Sequence, residues 1–170
     1  MHRLLLLLTI PITVLASPDP LPDGWRLPTQ AEINAVPMRS WSETKFLRVD
    51  GDFNSDGKLD FAQLVKSENS DGEGFAVYLS NPTGYEWQVV QNFMYKKRPS
   101  NPTLYMGLDI AEPGSYKTAC GKGYWACKEG EPEILVLNNL GVAYFKFESA
   151  SSIWYWDNSK DKFKQIWISD

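Results

Sequence analysis

The sequence predicts a mainly β fold: an antiparallel meander or sandwich of about nine short strands, with one short helix near the start. Three observations carry this. From residue 46 onward, short runs alternate apolar and polar residues with the period of two that a half-buried strand needs. Turn-forming residues recur between those runs. The chain of 170 residues also holds seven Trp, eight Tyr and eight Phe, which favour strands and supply ample surface for one core.

The first sixteen residues stand apart. His2 and Arg3 make a short basic start, Leu4 to Leu15 is a mostly apolar run, and Val14-Leu15-Ala16 offers a cleavage site before Ser17. This is the layout of a secretory signal peptide, and the run is too short for the ~20 apolar residues that span a bilayer. Residues 17–28 are Pro-rich and read as an extended lead-in to a single domain over 29–170. In Thr29-Gln30-Ala31-Glu32 the Thr hydroxyl and Glu carboxylate can satisfy first-turn amides as a capping box. A helix over about 30–35 follows, and Pro37 ends it.

Strands are then expected at 46–49, 60–66, 75–79 and 86–93. Asp71-Gly72 and Asn81-Pro82-Thr83-Gly84 supply the turns. Lys96-Lys97-Arg98-Pro99 opens a solvated loop, and 104–110 returns to strand. Residues 111–132 form a long excursion rich in Gly and Lys. The last strands fall at 133–137, 142–147, 152–156 and 163–168. Their alternation sets Tyr144 against Phe145, Trp154 against Tyr155 and Ile166 against Trp167.

The one histidine, His2, leaves with the signal peptide. The exported chain therefore has no imidazole for Ser-His-Asp or Cys-His catalysis or for His-ligated zinc. Ser42-Glu43-Thr44-Lys45 spells S-x-x-K but lacks its companion motifs. Paired carboxylates could still serve a glycosidase, yet no coherent catalytic constellation is visible, and a non-enzymatic role is expected. Net charge is −4, and removal of Arg3 makes it −5. Phosphate backbones and anionic membranes reward the opposite sign, so nucleic acid and membrane are poor partners. A protein partner of basic charge fits better, with a glycan as the alternative.

The strongest motif is Asp52-Phe53-Asn54-Ser55-Asp56-Gly57-Lys58-Leu59-Asp60. Oxygens of Asp52, Asn54, Asp56 and Asp60, with the main-chain carbonyl of Lys58, can converge on one Ca²⁺, and Gly57 permits the sharp turn. A metal-free turn rich in Asp and Asn is the alternative. Gln63 stands where an EF-hand has its bidentate Glu, and the flanks read as strands. Gly51 to Ala62 instead resembles, residue by residue, the strand–loop–strand calcium segment of FG-GAP and VCBS repeats. The resemblance covers one repeat, about residues 46–92, and implies a structural ion. A second copy of the loop is not visible, so a full propeller is not expected.

Cys120 and Cys127 lie close in an exported chain and read as a disulfide. The loop between them places Tyr124 and Trp125 among glycines, where rigid aromatics can anchor a partner. In the other reading, Trp125 folds back onto the sheet. The tail from Phe145 to Asp157 reads as a core hairpin, with an aromatic platform for sugar rings as the lesser reading. Taken whole, the chain resembles a group of small secreted proteobacterial proteins with a similar calcium-type loop, a similar Cys-Gly-Lys-Gly-Tyr-Trp segment and a similar Ser-Ala-Ser-Ser…Tyr-Trp-Asp tail. That resemblance implies a periplasmic or secreted inhibitor of the immunity class that neutralises delivered toxins.

Overall fold

The computed structural model describes residues 21–93 and 103–170. The expected signal peptide and the Lys96–Pro99 cluster lie outside the described residues. Among those described, eleven strands run Trp25–Arg26 (β1), Arg48–Gly51 (β2), Asp60–Ser67 (β3), Glu73–Asn81 (β4), Gly84–Phe93 (β5), Met106–Ala111 (β6), Gly114–Lys117 (β7), Ile134–Leu137 (β8), Gly141–Lys146 (β9), Ser151–Asp157 (β10) and Lys162–Ser169 (β11). The fold is mainly β and every pairing is antiparallel, as the alternation and turns predict.

The strands make three sheets. The first runs β1-β3-β4-β5, with β2 beside the opening half of β3; the second runs β11-β10-β9-β6; the third is the pair β7-β8. Two strands escape the sequence reading. β1 lies in the Pro-rich lead-in, where Trp25 and Arg26 pair with Ser67 and Lys66. β7 lies in the excursion, where Gly114 to Lys117 alternates too little to announce a strand and is held by β8.

Alternation decides the layers. Val49, Ala62, Leu64, Phe75 and Val77 of the first sheet face Leu108, Val142, Tyr144, Trp154 and Phe163 of the second, and this is the main core. The odd-numbered neighbours Ala111, Ile153 and the opposite-facing Ile166 leave the second sheet on its other side and meet Leu135 and Leu137 of β8. The second sheet is thus covered on both faces. A smaller cluster of Phe61, Val65, Ala76 and Tyr78 sits on the outer face of the first sheet under Leu21 and Trp25.

The helix forms at Gln30–Asn34 (α1), with Thr29 as N-cap and both halves of the capping box present. Pro37 does close α1, and it then opens a 3₁₀ turn over Pro37–Trp41. Glu32 is buried and takes two 2.8 Å bonds from the Arg26 guanidinium besides the Thr29 amide. That Arg26 pairing, aided by Thr29, holds the Glu32 carboxyl down to about 2, against its ordinary 4.5. A carboxyl lowered by folding stabilises the protein above its unfolded pKa. Its contribution is lost as pH falls from about 4.5 to about 2. Glu32→Gln should cost about 1 kcal/mol at pH 7 and should flatten the urea-midpoint profile between pH 4.5 and 2. An unchanged profile would mean the pair contributes nothing.

Candidate functional site

The acidic loop spans the turn between β2 and β3, whose register closes at Gly51↔Asp60. The flanks are therefore strands. Phe53 is fully buried and pins the loop to the main core. Gly57 has φ +81°, a left-handed conformation that glycine adopts without strain. A Cβ there would meet nothing within 4 Å, so the requirement is conformational.

The side-chain oxygens turn inward on the loop's own amides. Asp52 accepts from the amides of Asp56 (3.1 Å) and Gly57 (2.9 Å), and Asn54 accepts from Asp56 (3.2 Å). Asp56 accepts from the Lys58 amide at 2.9 Å, and its second oxygen takes the Lys58 ammonium at 2.9 Å. That ammonium lowers the Asp56 carboxyl. Asp60 is different: it is fully buried and accepts from the Phe53 amide (3.0 Å) and the Ser80 amide (2.8 Å), tying the loop to β4. Burial raises its carboxyl, the amides of Ser80, Phe53 and Asn54 pull it back, and the charge of Asp56 adds to the rise.

Among the described residues no group of three or more carboxylate, thiolate or imidazole side chains stands close enough together to hold a metal ion, and Asp52, Asp56 and Asp60 as they stand are no exception. The donor set of the loop mixes carboxylates with the Asn54 amide and the Lys58 carbonyl. These are hard oxygens of the kind Ca²⁺ takes. Each carboxylate oxygen that accepts one amide keeps a lone pair. A divalent ion beside Asp56 and Asp60 would also reverse the repulsion between them. The five residues Asp52, Asn54, Asp56, Lys58 and Asp60 thus fit the ion by chemistry, and Lys58 supplies a counter-charge to Asp56 as the loop stands.

The second expected feature is the stapled loop. Cys120 and Cys127 form a disulfide with Cα atoms 4.9 Å apart. The ring is fixed at its base: the Ala119 amide donates to Trp167 O of β11 at 2.8 Å, and Lys122 Nζ donates to Ile168 O at 2.8 Å. Gly121 passes so close to Glu133 that a Cβ would stand 2.1 Å from its carbonyl oxygen, which only glycine allows. Tyr124 is 54% exposed. Trp125 is half-buried, with its indole N–H directed to the Glu131 carboxylate at 3.2 Å. It folds back on its own loop, held by Glu131, a partner that spacing alone does not reveal. Replacing both cysteines by Ser should cost roughly 2–3 kcal/mol by loop entropy. Urea unfolding with and without reductant measures this, and equal midpoints would show the ring to be energetically idle.

Trp154 is buried at 8% exposure and packs on Phe75, so it belongs to the core and offers no sugar platform. The S-x-x-K segment brings no nucleophile to a base: the Ser42 hydroxyl pairs with Thr44 at 3.1 Å. Sequence reasoning missed an inter-sheet pocket lined by Glu86 and Asp161, because it joins strands far apart in the chain.

No family model, curated protein or solved structure matches the chain.

Proposed function

We propose that this is an exported, non-enzymatic binding protein that inhibits a basic secreted protein, a toxin or a hydrolase, and that its acidic loop carries a structural Ca²⁺. The observation that supports it best is the stapled loop. A short disulfide ring, hydrogen-bonded to β11 at its base, holds Tyr124 in solvent and Trp125 beside it. A rigid aromatic loses little entropy on contact. The acidic net charge speeds encounter with a basic partner. A structural role for calcium, as against a catalytic one, is supported by the bonds of Asp60, which join the loop to β4 and so make it part of the framework.

A pull-down tests this reading, with exported protein as bait in millimolar Ca²⁺ and an EDTA control, against periplasmic extract and the products of neighbouring genes. One tight basic partner is expected, and Tyr124→Ala should weaken it at least 30-fold, the loss of a ~2 kcal/mol hot spot. Retention on peptidoglycan or glycan resin with no protein partner would overturn it.

A further inference from the structure

One pocket outside these loops, of about 290 Å³, opens between the first and second sheets and is lined by Leu79, Glu86, Trp87, Gln88, Trp156 and Asp161. Register explains the lining. Glu86 pairs with Leu79 and Gln88 with Val77, so both share the inter-sheet face of β5 with Val90, which packs on the main core. Trp87 and Tyr85 alternate to the outer face, where Tyr85 meets Phe61 at 5.1 Å. The second sheet contributes Trp156, packed edge-on against Phe163 at 5.2 Å, and the β10–β11 turn contributes Asp161 at φ +46°.

Two exposed carboxylates, one from β5 and one from the β10–β11 turn, therefore line the pocket together with two indoles and one leucine. No lining residue is basic. Among the described residues neither Glu86 nor Asp161 has a side-chain hydrogen bond or ion pair, whereas the neighbouring Asp157 is taken by Lys164 at 2.9 Å. A pocket near the lower end of the usual 300–1,000 Å³ range suits one side chain or small molecule more than an oligosaccharide. Its chemistry selects a cation on an apolar stem: methylenes on Leu79, the charge on Trp156 and the two carboxylates.

We infer that this pocket receives a single Lys or Arg side chain from the basic protein partner. The inference rests on the inhibitor reading and adds an anchor point to it, separate from Tyr124. The same alkylammonium or guanidinium chemistry could reach the pocket on a free amine, so the test separates the two sources.

Exported protein labelled with ¹⁵N is titrated with capped arginine amide, capped lysine amide, capped citrulline amide and putrescine, and the indole signal of Trp156 is followed, assigned with Trp156→Phe. Saturable shifts are expected with arginine or lysine at roughly millimolar Kd, as ligands of this size allow. Citrulline should be silent, and the double variant Glu86→Gln/Asp161→Asn should weaken binding at least tenfold while keeping its urea midpoint. No saturable shift up to 50 mM, an equal response to citrulline, or full binding by the double variant overturns the inference. Putrescine binding ten times tighter than either capped residue also overturns it, in favour of a free amine. Capture of a basic partner equally by wild type and double variant sinks the pocket and leaves the inhibitor reading standing. Arginine binding with no protein partner captured sinks the inhibitor reading, and the protein source with it.

Discussion

Arg39→Ala should destabilise the protein by about 3–5 kcal/mol, the cost of breaking a buried charged cluster by removing one member. Arg39 sits on the 3₁₀ turn and is only 2% exposed. Its guanidinium donates to Lys45 O and Leu104 O, each at 2.8 Å, and to Met106 O. Burial lowers its pKa to about 10, and the nearby charge of Glu73 acts against that fall. Glu73 is itself fully buried and accepts from the amides of Tyr105 (3.1 Å) and Met106 (3.2 Å). The two side chains thus hold the carbonyls and amides of one stretch, 104–106, where β6 begins. Truncation at Arg39 removes a charged donor from three carbonyls, two of them buried bonds, and leaves Glu73 with less compensating charge. Lys in its place keeps the charge but not the fork that spans two elements, so Arg39→Lys should recover only part of the loss. Urea unfolding reads this directly. A loss below 1 kcal/mol for Arg39→Ala would show that the clamp is not stabilising.

Calcium should raise the melting temperature. A ligand at a hundred times its Kd stabilises the native state by about 2.7 kcal/mol. For a domain of this size that corresponds to roughly 5–10 °C. Asp52→Ala or Asp56→Ala should abolish the response. Asp52 and Asp56 hold loop amides at the surface, so these variants should still fold in EDTA. Asp60→Ala is a poorer test, because it also leaves the Phe53 and Ser80 amides without their acceptor. A melting temperature unmoved by millimolar Ca²⁺ in the wild type, or moved equally in both surface variants, would remove the ion from the loop.

Local signals carried most of the fold. The capping box at Thr29, the turns at Asn81 to Gly84 and the alternation through Tyr144, Trp154 and Ile166 each depend on neighbours in sequence, and each stands in the structure. What the chain did not announce depends on partners far away. β7 is a strand because β8 pairs with it, and Trp25–Arg26 is one because β3 offers an edge. The burial of Arg39 needs carbonyls at 104 and 106. For the candidate site the same division holds. The acidic loop and the cysteine pair are short contiguous motifs and were legible. The Glu86–Asp161 pocket is assembled by the sheet packing from segments about 75 residues apart and was not.

The disulfide also bears on how the chain reaches its structure. Cys120 and Cys127 are seven residues apart, whereas β6 must find β9 across the whole excursion that contains them. Closing a longer loop costs more entropy, but only logarithmically, so shortening the excursion by one small ring changes that search very little. The ring is anchored on β11, which joins the second sheet only through β10. Oxidised and reduced chains should therefore refold at similar rates and differ mainly in how fast they unfold, as a contact formed late on the pathway dictates. In that order the sheets assemble first and the ring settles onto β11 last, so the staple acts on the lifetime of the finished fold and leaves the search for it unchanged.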